Sequence, residues 1–346
     1  MDNSQTKKYF GASNSAEGFV NYFPEIFNAD TCSRIYVVKG GPGTGKSRFM
    51  KDVAGAAEEK GMGVRYYYCS SDADSLDGIF IEELRVGFVD GTSPHIYEPS
   101  LAGAFEQIIN LGEFWDERDL QRHRDTIGEL SSKKSLAYKT AYAFLSAYGS
   151  LMRAAEQKTV GCVNRKKLGA AVKRWLHRLP SGERAVRSVA LRSSIGMQGE
   201  RSLQCYENDA ELVFSVKDYH NTAHLILGAV AAEAASMRIP FRVSYDPIMS
   251  RRIDGVLLEN CKIAFVTNAD SEHIINAKRF VDTDAFKSVK DSVKTLESKA
   301  REMKLCALDE FESVRKYHFE LEAIYAEAMD FKKKEQYTAE FIKKLL

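Results

Sequence analysis

Residues 40–47 read Gly40-Gly41-Pro42-Gly43-Thr44-Gly45-Lys46-Ser47 and match G-x-x-x-x-G-K-[ST] at every fixed position. Each residue type in that pattern has a mechanical job. Glycines let the backbone wrap a polyphosphate closely with its N–H groups turned inward. The lysine brings a point charge to the β- and γ-phosphates, and the serine hydroxyl suits Mg²⁺. The flanks fit as well. Ile35-Tyr36-Val37-Val38-Lys39 is a short apolar run suited to a buried strand. After the loop, Phe49, Met50, Val53, Ala54 and Ala57 share one helical face, and Gly61 can end that helix. A polyphosphate would then sit at a helix N-terminus, where free N–H groups and the dipole favour an anion. Gly40, Gly41, Pro42, Gly43, Thr44, Gly45, Lys46, Ser47 and Arg48 are therefore the expected contacts of ATP or GTP. The loop itself does not choose the base.

A second acidic group must hold Mg²⁺ through water, and it normally ends a neighbouring apolar strand. Asp90 in Val86-Gly87-Phe88-Val89-Asp90 fits, so Lys46 and Asp90 are the expected catalytic pair, with Ser47 and Asp90 on the metal. Asp72 is the alternative, in Cys69-Ser70-Ser71-Asp72-Ala73-Asp74-Ser75-Leu76-Asp77-Gly78. Asp74 and Asp77 either approach the phosphates or a substrate, or form an Asx-rich turn capping a helix. No Glu follows Asp90, which counts against a fast motor ATPase. His95 lies just beyond the same strand and can orient water, read a substrate or simply face solvent. Arg118, Arg122 and Arg124 offer a lid arginine or a solvated face.

The chain has 346 residues, of which 44% are hydrophobic and 28% charged, as in an ordinary globular protein. No apolar run approaches a membrane span, and Met1–Lys8 holds no apolar signal core. The six cysteines are scattered without a C-x-x-C pair, so reduced thiols in a cytoplasmic protein are expected. Net charge is +1, but Arg153–Arg192 carries 11 Lys/Arg against Glu156 and Glu183. Within it, Asn164–Leu179 reads as a basic amphipathic helix. Leu168, Ala171, Val172, Trp175, Leu176 and Leu179 lie at helical spacing among Arg165, Lys166, Lys167, Lys173, Arg174 and Arg178. Its expected partner is nucleic acid, an anionic membrane, an acidic protein or the rest of this chain.

Slid against itself by 177 residues, the chain aligns Arg34–Gly91 with Glu211–Asn268 without a gap, with 10 identities in 58 positions. The order of strands and helix is preserved, which predicts two related halves, 1–180 and 181–346, each with about three or four strands. Pro180-Ser181-Gly182 marks the boundary. The copy has lost the loop chemistry. It reads Lys217-Asp218-Tyr219-His220-Asn221-Thr222-Ala223-His224, without glycine, and Thr267 replaces Asp90. No nucleotide is expected there, and the His220/His224 pair lacks the carboxylate of a recognised metal motif. Each half continues into proline-free, Ala/Leu/Glu/Lys-rich sequence that reads as two long helices, a hairpin offering a surface to a protein partner.

In Phe10–Phe19, Lys39–Ser47, Cys69–Gly78, Asp90–His95 and Gly103–Glu113 the chain resembles a little-characterised family of bacterial tandem P-loop proteins, described as ATPases or nucleotide kinases. The resemblance covers the first 120 residues or so and implies an α/β P-loop NTPase, a mainly parallel sheet flanked by helices. The family's second half often keeps its own loop, which this chain lacks. Three functions follow as expectations. The first is a slow Mg-dependent NTPase acting as a nucleotide-gated switch. The second is a small-molecule or nucleotide kinase, and the third is a non-hydrolysing sensor. The aromatic lead-in Phe19, Tyr22 and Phe23 either covers a base or packs in the core.

Overall fold

A computed structural model describes residues 7–94 and 97–346, and His95 lies outside them. The first half runs β1 (Lys7–Phe10), β2 (Ala12–Ser15), β3 (Gly18–Asn21), α1 (Phe23–Ile26), β4 (Arg34–Lys39), α2 (Lys46–Glu59), β5 (Val64–Tyr68), β6 (Leu76–Ile81), β7 (Val86–Asp90), β8 (Glu106–Asn110), α3 (Glu117–Arg122), α4 (Arg124–Val160) and α5 (Arg165–Leu176). The second half repeats this order. It runs β9 (Arg187–Val189), β10 (Ser193–Gly196), β11 (Gly199–Ser202), α6 (Cys205–Asp209), β12 (Leu212–Lys217), α7 (Ala223–Ser236), β13 (Phe241–Tyr245), β14 (Ile253–Leu258), β15 (Ile263–Thr267), β16 (His273–Asn276), α8 (Thr283–Lys287), α9 (Lys290–Glu327) and α10 (Phe331–Leu345).

The two six-stranded sheets have one topology. The first is ordered β1-β5-β6-β7-β4-β8 and the second β9-β13-β14-β15-β12-β16. Both are mixed rather than purely parallel, because β6 and β14 run antiparallel to both neighbours. Each main sheet has six strands in place of the three or four expected in each half, and a two-stranded hairpin lies beside it. The extra ones are short edge strands and the antiparallel β6, whose apolar run begins inside the Asp-rich stretch. That stretch therefore turns into a strand, not a helix.

Why the central elements form is plain from the sequence. Ile35, Val37 and Val38 of β4 are fully buried, as are Phe49, Met50, Val53, Ala54 and Ala57 on one face of α2. Burying each large side chain stabilises the half by about 1.5–3 kcal/mol. In the lead-in, Tyr22 and Phe23 belong to the core. Phe23 packs on Phe27 and Tyr67, and Tyr22 stacks on Tyr245 of the other half with ring centroids 5.5 Å apart.

The helical extensions differ from the expected hairpins. Asn110 ends β8 and caps a short turn, after which α4 is a single helix of 37 residues. It lies against α9, the 38-residue helix of the other half, not against a partner of its own. Ala137, Ala141 and Leu145 on α4 and Ala300, Ala307 and Phe311 on α9 form the shared core. Small residues at the helical repeat let the two backbones approach.

The terminal helices are exchanged. Helix α5 packs Leu168, Ala171, Val172 and Leu176 onto α7 of the second half. Helix α10 brings Tyr337, Phe341 and Ile342 onto α2 of the first. The crossing points match bond for bond. Asn164 N donates to Phe280 O at 2.8 Å, and Asp330 N donates to Phe114 O at 2.9 Å. Across the approximate twofold axis Phe10 and Leu191 exchange backbone bonds of 2.9 and 3.0 Å. A division at 180/181 thus separates the two sheets but leaves each terminal helix on the opposite body. The six cationic residues of 165–178 are exposed, while the apolar face that a membrane would take is already covered by α7. Among the described residues no helix is long and apolar enough to cross a membrane.

Candidate functional site

The 40–47 loop joins the end of β4 to the start of α2 at the edge of a cavity of about 820 Å³. That is within the roughly 300–1,000 Å³ of small-molecule sites. Gly43 and Gly45 hold φ of +71° and +76°, the left-handed region that favours glycine. Helix α2 begins at Lys46, so its first-turn N–H groups have no partner within the helix. Thr44 Oγ1 closes the loop on Gly41 O at 2.9 Å. Lys46 Nζ donates to Gly40 O at 3.0 Å and Gly41 O at 2.8 Å, and it lies 3.6 Å from Asp90 Oδ2. β4 and β7 are parallel neighbours with Val38 opposite Asp90, which sets this pair together. Asp90 Oδ1 accepts from Thr92 N at 2.8 Å and from the Thr92 hydroxyl. Ser47 Oγ accepts from Leu76 N at 3.0 Å.

Most of the expected residues converge on this cavity. Gly40–Ser47, Asp72, Asp77 and Asp90 line it. Asp77 is buried beside Cys69, and burial with that carboxylate pushes the thiol well up. Arg48 points away and pairs with Asp52 at 2.7 Å, leaving only its backbone to the loop. Asp74 lines a separate depression and accepts from Gln198 Nε2 at 3.1 Å. Arg118, Arg122 and Arg124 take no part in the lining.

The second half supplies the rest of the walls. The β10–β11 hairpin reaches across, with Met197 N donating to Ser71 O at 3.0 Å and Gln198 Nε2 to Asp72 Oδ1 at 2.8 Å. A Cβ on Gly196 would lie 2.3 Å from Ser70 O, so the close approach requires glycine. Helix α9 covers the outside of the loop. A Cβ on Gly43 would meet Glu322 O at 2.5 Å, and one on Gly41 would meet the Tyr325 ring at 3.2 Å. His318 and Glu322 of α9 line the cavity opposite Lys134 and Tyr138 of α4. Burial and the nearby Lys134 and Lys46 hold the His318 ring down at about 4, so it is neutral at pH 7. Burial and Asp72 push the Glu322 carboxyl up, with Lys46 opposing. Burial, then Lys46, lowers the Lys134 ammonium, and burial raises Tyr138 to about 12.

The copied loop is filled from within. Asp218, in the place of Gly41, accepts from Asn221 N at 2.9 Å and Ala223 N at 2.8 Å, so a protein carboxylate takes the helix-start donors. His220, at Gly43's place, keeps a left-handed φ of +50°. Its Nδ1 lies 3.1 Å from Glu297, which also accepts from Asn221 Nδ2 at 2.9 Å. His224, at Ser47's place, pairs with Glu156 at 2.8 Å, and Arg252 pairs with the same carboxylate at 2.6 Å. The two histidines thus go to different partners. Among the described residues no group of three His, Cys, Asp or Glu is placed to hold a metal ion.

His318 and Glu322 were not legible in the gapless self-alignment, which ends at Gly91. The longer β7–β8 connection of the first half shifts the offset from 177 to 166, as Phe114-Trp115-Asp116 against Phe280-Val281-Asp282 shows. Carrying that offset onward pairs Glu156 with Glu322. No protein-family model, no curated protein and no solved structure matches this chain.

Proposed function

We propose that the first half binds a magnesium nucleoside triphosphate, with ATP the first choice over GTP. It hydrolyses it slowly, and the paired helices α4 and α9 carry the nucleotide state to a partner. The chain would then be a tandem P-loop NTPase of the bacterial family it resembles, with one loop retired. The observation that carries this reading is the convergence of Lys46, Ser47 and Asp90 at the start of α2, on a loop with glycine at both left-handed positions. Lys46 would leave the Gly40 and Gly41 carbonyls and meet the β- and γ-phosphates. The first-turn N–H groups of α2 would take the phosphate oxygens.

The donors present suit magnesium. The Ser47 hydroxyl and an Asp90 carboxylate oxygen are hard ligands, and two protein ligands beside phosphate and water are the usual share for that ion. When bound, the ion would offset the charge on the transferring phosphoryl group. Switching is supported by the packing. Gly41, Gly43 and Gly45 abut Tyr325, Glu322 and Lys334, so a shift of the loop is felt directly by α9 and α10.

A phosphotransferase reading is favoured by the polar far wall, where Ser131, Lys134, Ser135, Tyr138 and Lys139 leave space for an acceptor. One assay separates the readings. Binding of a fluorescent ATP or GTP analogue and phosphate release are measured with and without Mg²⁺, then with candidate acceptors. Release without acceptor supports the switch, and acceptor-dependent turnover supports the kinase. Tight binding without turnover leaves a sensor. Lys46→Ala is expected to lower nucleotide affinity or turnover by at least about 100-fold. An unchanged K46A protein would remove the loop from the site.

A further inference from the structure

We infer that Glu322, delivered to the first loop by α9 of the second half, is the general base that activates water for attack on the γ-phosphate. The inference rests on the nucleotide reading above and names the carboxylate that is missing after Asp90. Three observations carry it.

First, Glu322 lines the cavity while its own backbone carbonyl packs against Gly43, so the helix is seated on the loop rather than near it. Second, the chain contains an internal comparison. Glu156 stands eight residues before the crossing residue Asn164, and Glu322 stands eight before Asp330, its counterpart. Glu156 reaches His224 and Arg252, the residues at the places of Ser47 and Ser75. A glutamate at this helix position therefore spans to the junction of the loop with the β5–β6 turn. In the first half that junction holds Ser47, Ser75 and Asp72. Third, Glu156 is taken up by His224 and Arg252, whereas the Glu322 side chain makes no hydrogen bond or ion pair with any described residue. Its surroundings favour the protonated form more than water does, which suits a group that must take up a proton.

The step balances without a further reactant. A water oxygen bonds to the γ-phosphorus as its O–H bond breaks, and the proton passes to a Glu322 carboxylate oxygen. The bond from the γ-phosphorus to the bridging oxygen breaks, and the nucleoside diphosphate leaves with that electron pair beside Lys46. Neutral His318 adds no positive charge that would pin the carboxylate as its anion. Inorganic phosphate and the diphosphate are the products, and Glu322 returns its proton to solvent.

The test uses the full chain with Mg-ATP. Glu322→Gln should bind the fluorescent ATP analogue within about threefold of wild type while phosphate release falls by about 100-fold or more. The wild-type rate should rise with pH through the raised Glu322 titration, and this limb should vanish in the variant. Glu322→Asp should restore part of the rate, and it stands in if the Gln variant fails to fold. Glu320→Gln, exposed on the same helix, should change neither quantity. Turnover at the wild-type rate in E322Q would overturn the inference, as would parallel loss of binding and rate. A wild-type protein that binds but never turns over also overturns it. A wild-type protein that binds no nucleotide fails before any substitution, which would sink the nucleotide reading itself.

Discussion

The Glu156 carboxylate closes on His224 Nε2 at 2.8 Å, joining a helix of the first half to the loop of the second. Arg252 holds its other oxygen at 2.6 Å. His224 and Arg252 together lower Glu156 to about 2. A carboxyl depressed in the folded state contributes stability above its unfolded value near 4.5, and that contribution is lost as pH falls toward 2. Glu156→Gln should therefore cost about 1–2 kcal/mol at pH 7, discounted for partial exposure. The gap from wild type should close between pH 4.5 and 2. Urea midpoints for both proteins at pH 7, 5 and 3 would show it, and a gap constant with pH would contradict the assignment.

The hairpin contact predicts a second result. Gly196→Ala drives a Cβ to 2.3 Å from Ser70 O and 2.8 Å from Ser71 Cα, backbone that cannot rotate away. Overpacking of this kind costs about 1–3 kcal/mol. Because Ser71 and Asp72 line the cavity, the proposed nucleotide binding should weaken along with the thermal midpoint. Gly199→Ala in the same hairpin has open space but a left-handed φ of +79°, so it should lower stability without reaching the cavity. Equal losses of affinity in both variants would argue against a specific role for the contact.

Exchange of the terminal helices predicts the behaviour of fragments. Residues 1–180 alone would expose Leu168, Ala171, Val172 and Leu176 of α5 and lack the aromatic cover of α10. Phe341 sits 5.1 Å from Tyr36 and 5.4 Å from Phe49 by ring centroids, so its loss uncovers the helix that starts at the loop. Either fragment should be aggregated or self-associated by sedimentation, and co-expression of 1–180 with 181–346 should restore a 1:1 species. A monomeric, cooperatively folded 1–180 would contradict this.

The cationic face of α5 gives a fourth. Its apolar side is committed to α7, so any binding must come from Arg165, Lys166, Lys167, Lys173, Arg174 and Arg178. If nucleic acid is the partner, Lys166→Glu with Arg174→Glu should weaken DNA or RNA binding uniformly across sequences and flatten its salt dependence. Anionic vesicles should gain no inserted helix. Absence of binding at low salt to either would remove both partners.

Much of the first half could be read from its residues because the decisive features are local. The loop, the strand before it and the apolar stripe of α2 each lie within a short window. The repeat was visible for the same reason. Asp254 and Gly255 repeat Asp77 and Gly78, and both glycines are closely approached: a Cβ on Gly78 would lie 2.8 Å from Phe88 O and one on Gly255 2.8 Å from Arg192 Cδ. The exchange of α5 and α10 was not readable. An amphipathic helix states that it must cover something, and Leu168 or Phe341 says nothing about which half it covers. Glu322 was hidden by the same limit, since it lies 276 positions from Lys46 and reaches the loop only because α9 of the second half packs against Gly43.

The traded helices also bear on inheritance. Once each copy wraps its last helix around the other, neither can be discarded, whatever becomes of its loop. The second copy has no glycine in its loop, yet its hairpin and its long helix supply walls to the cavity of the first. The scaffold of one half is thus part of the cavity of the other, whatever its own loop holds.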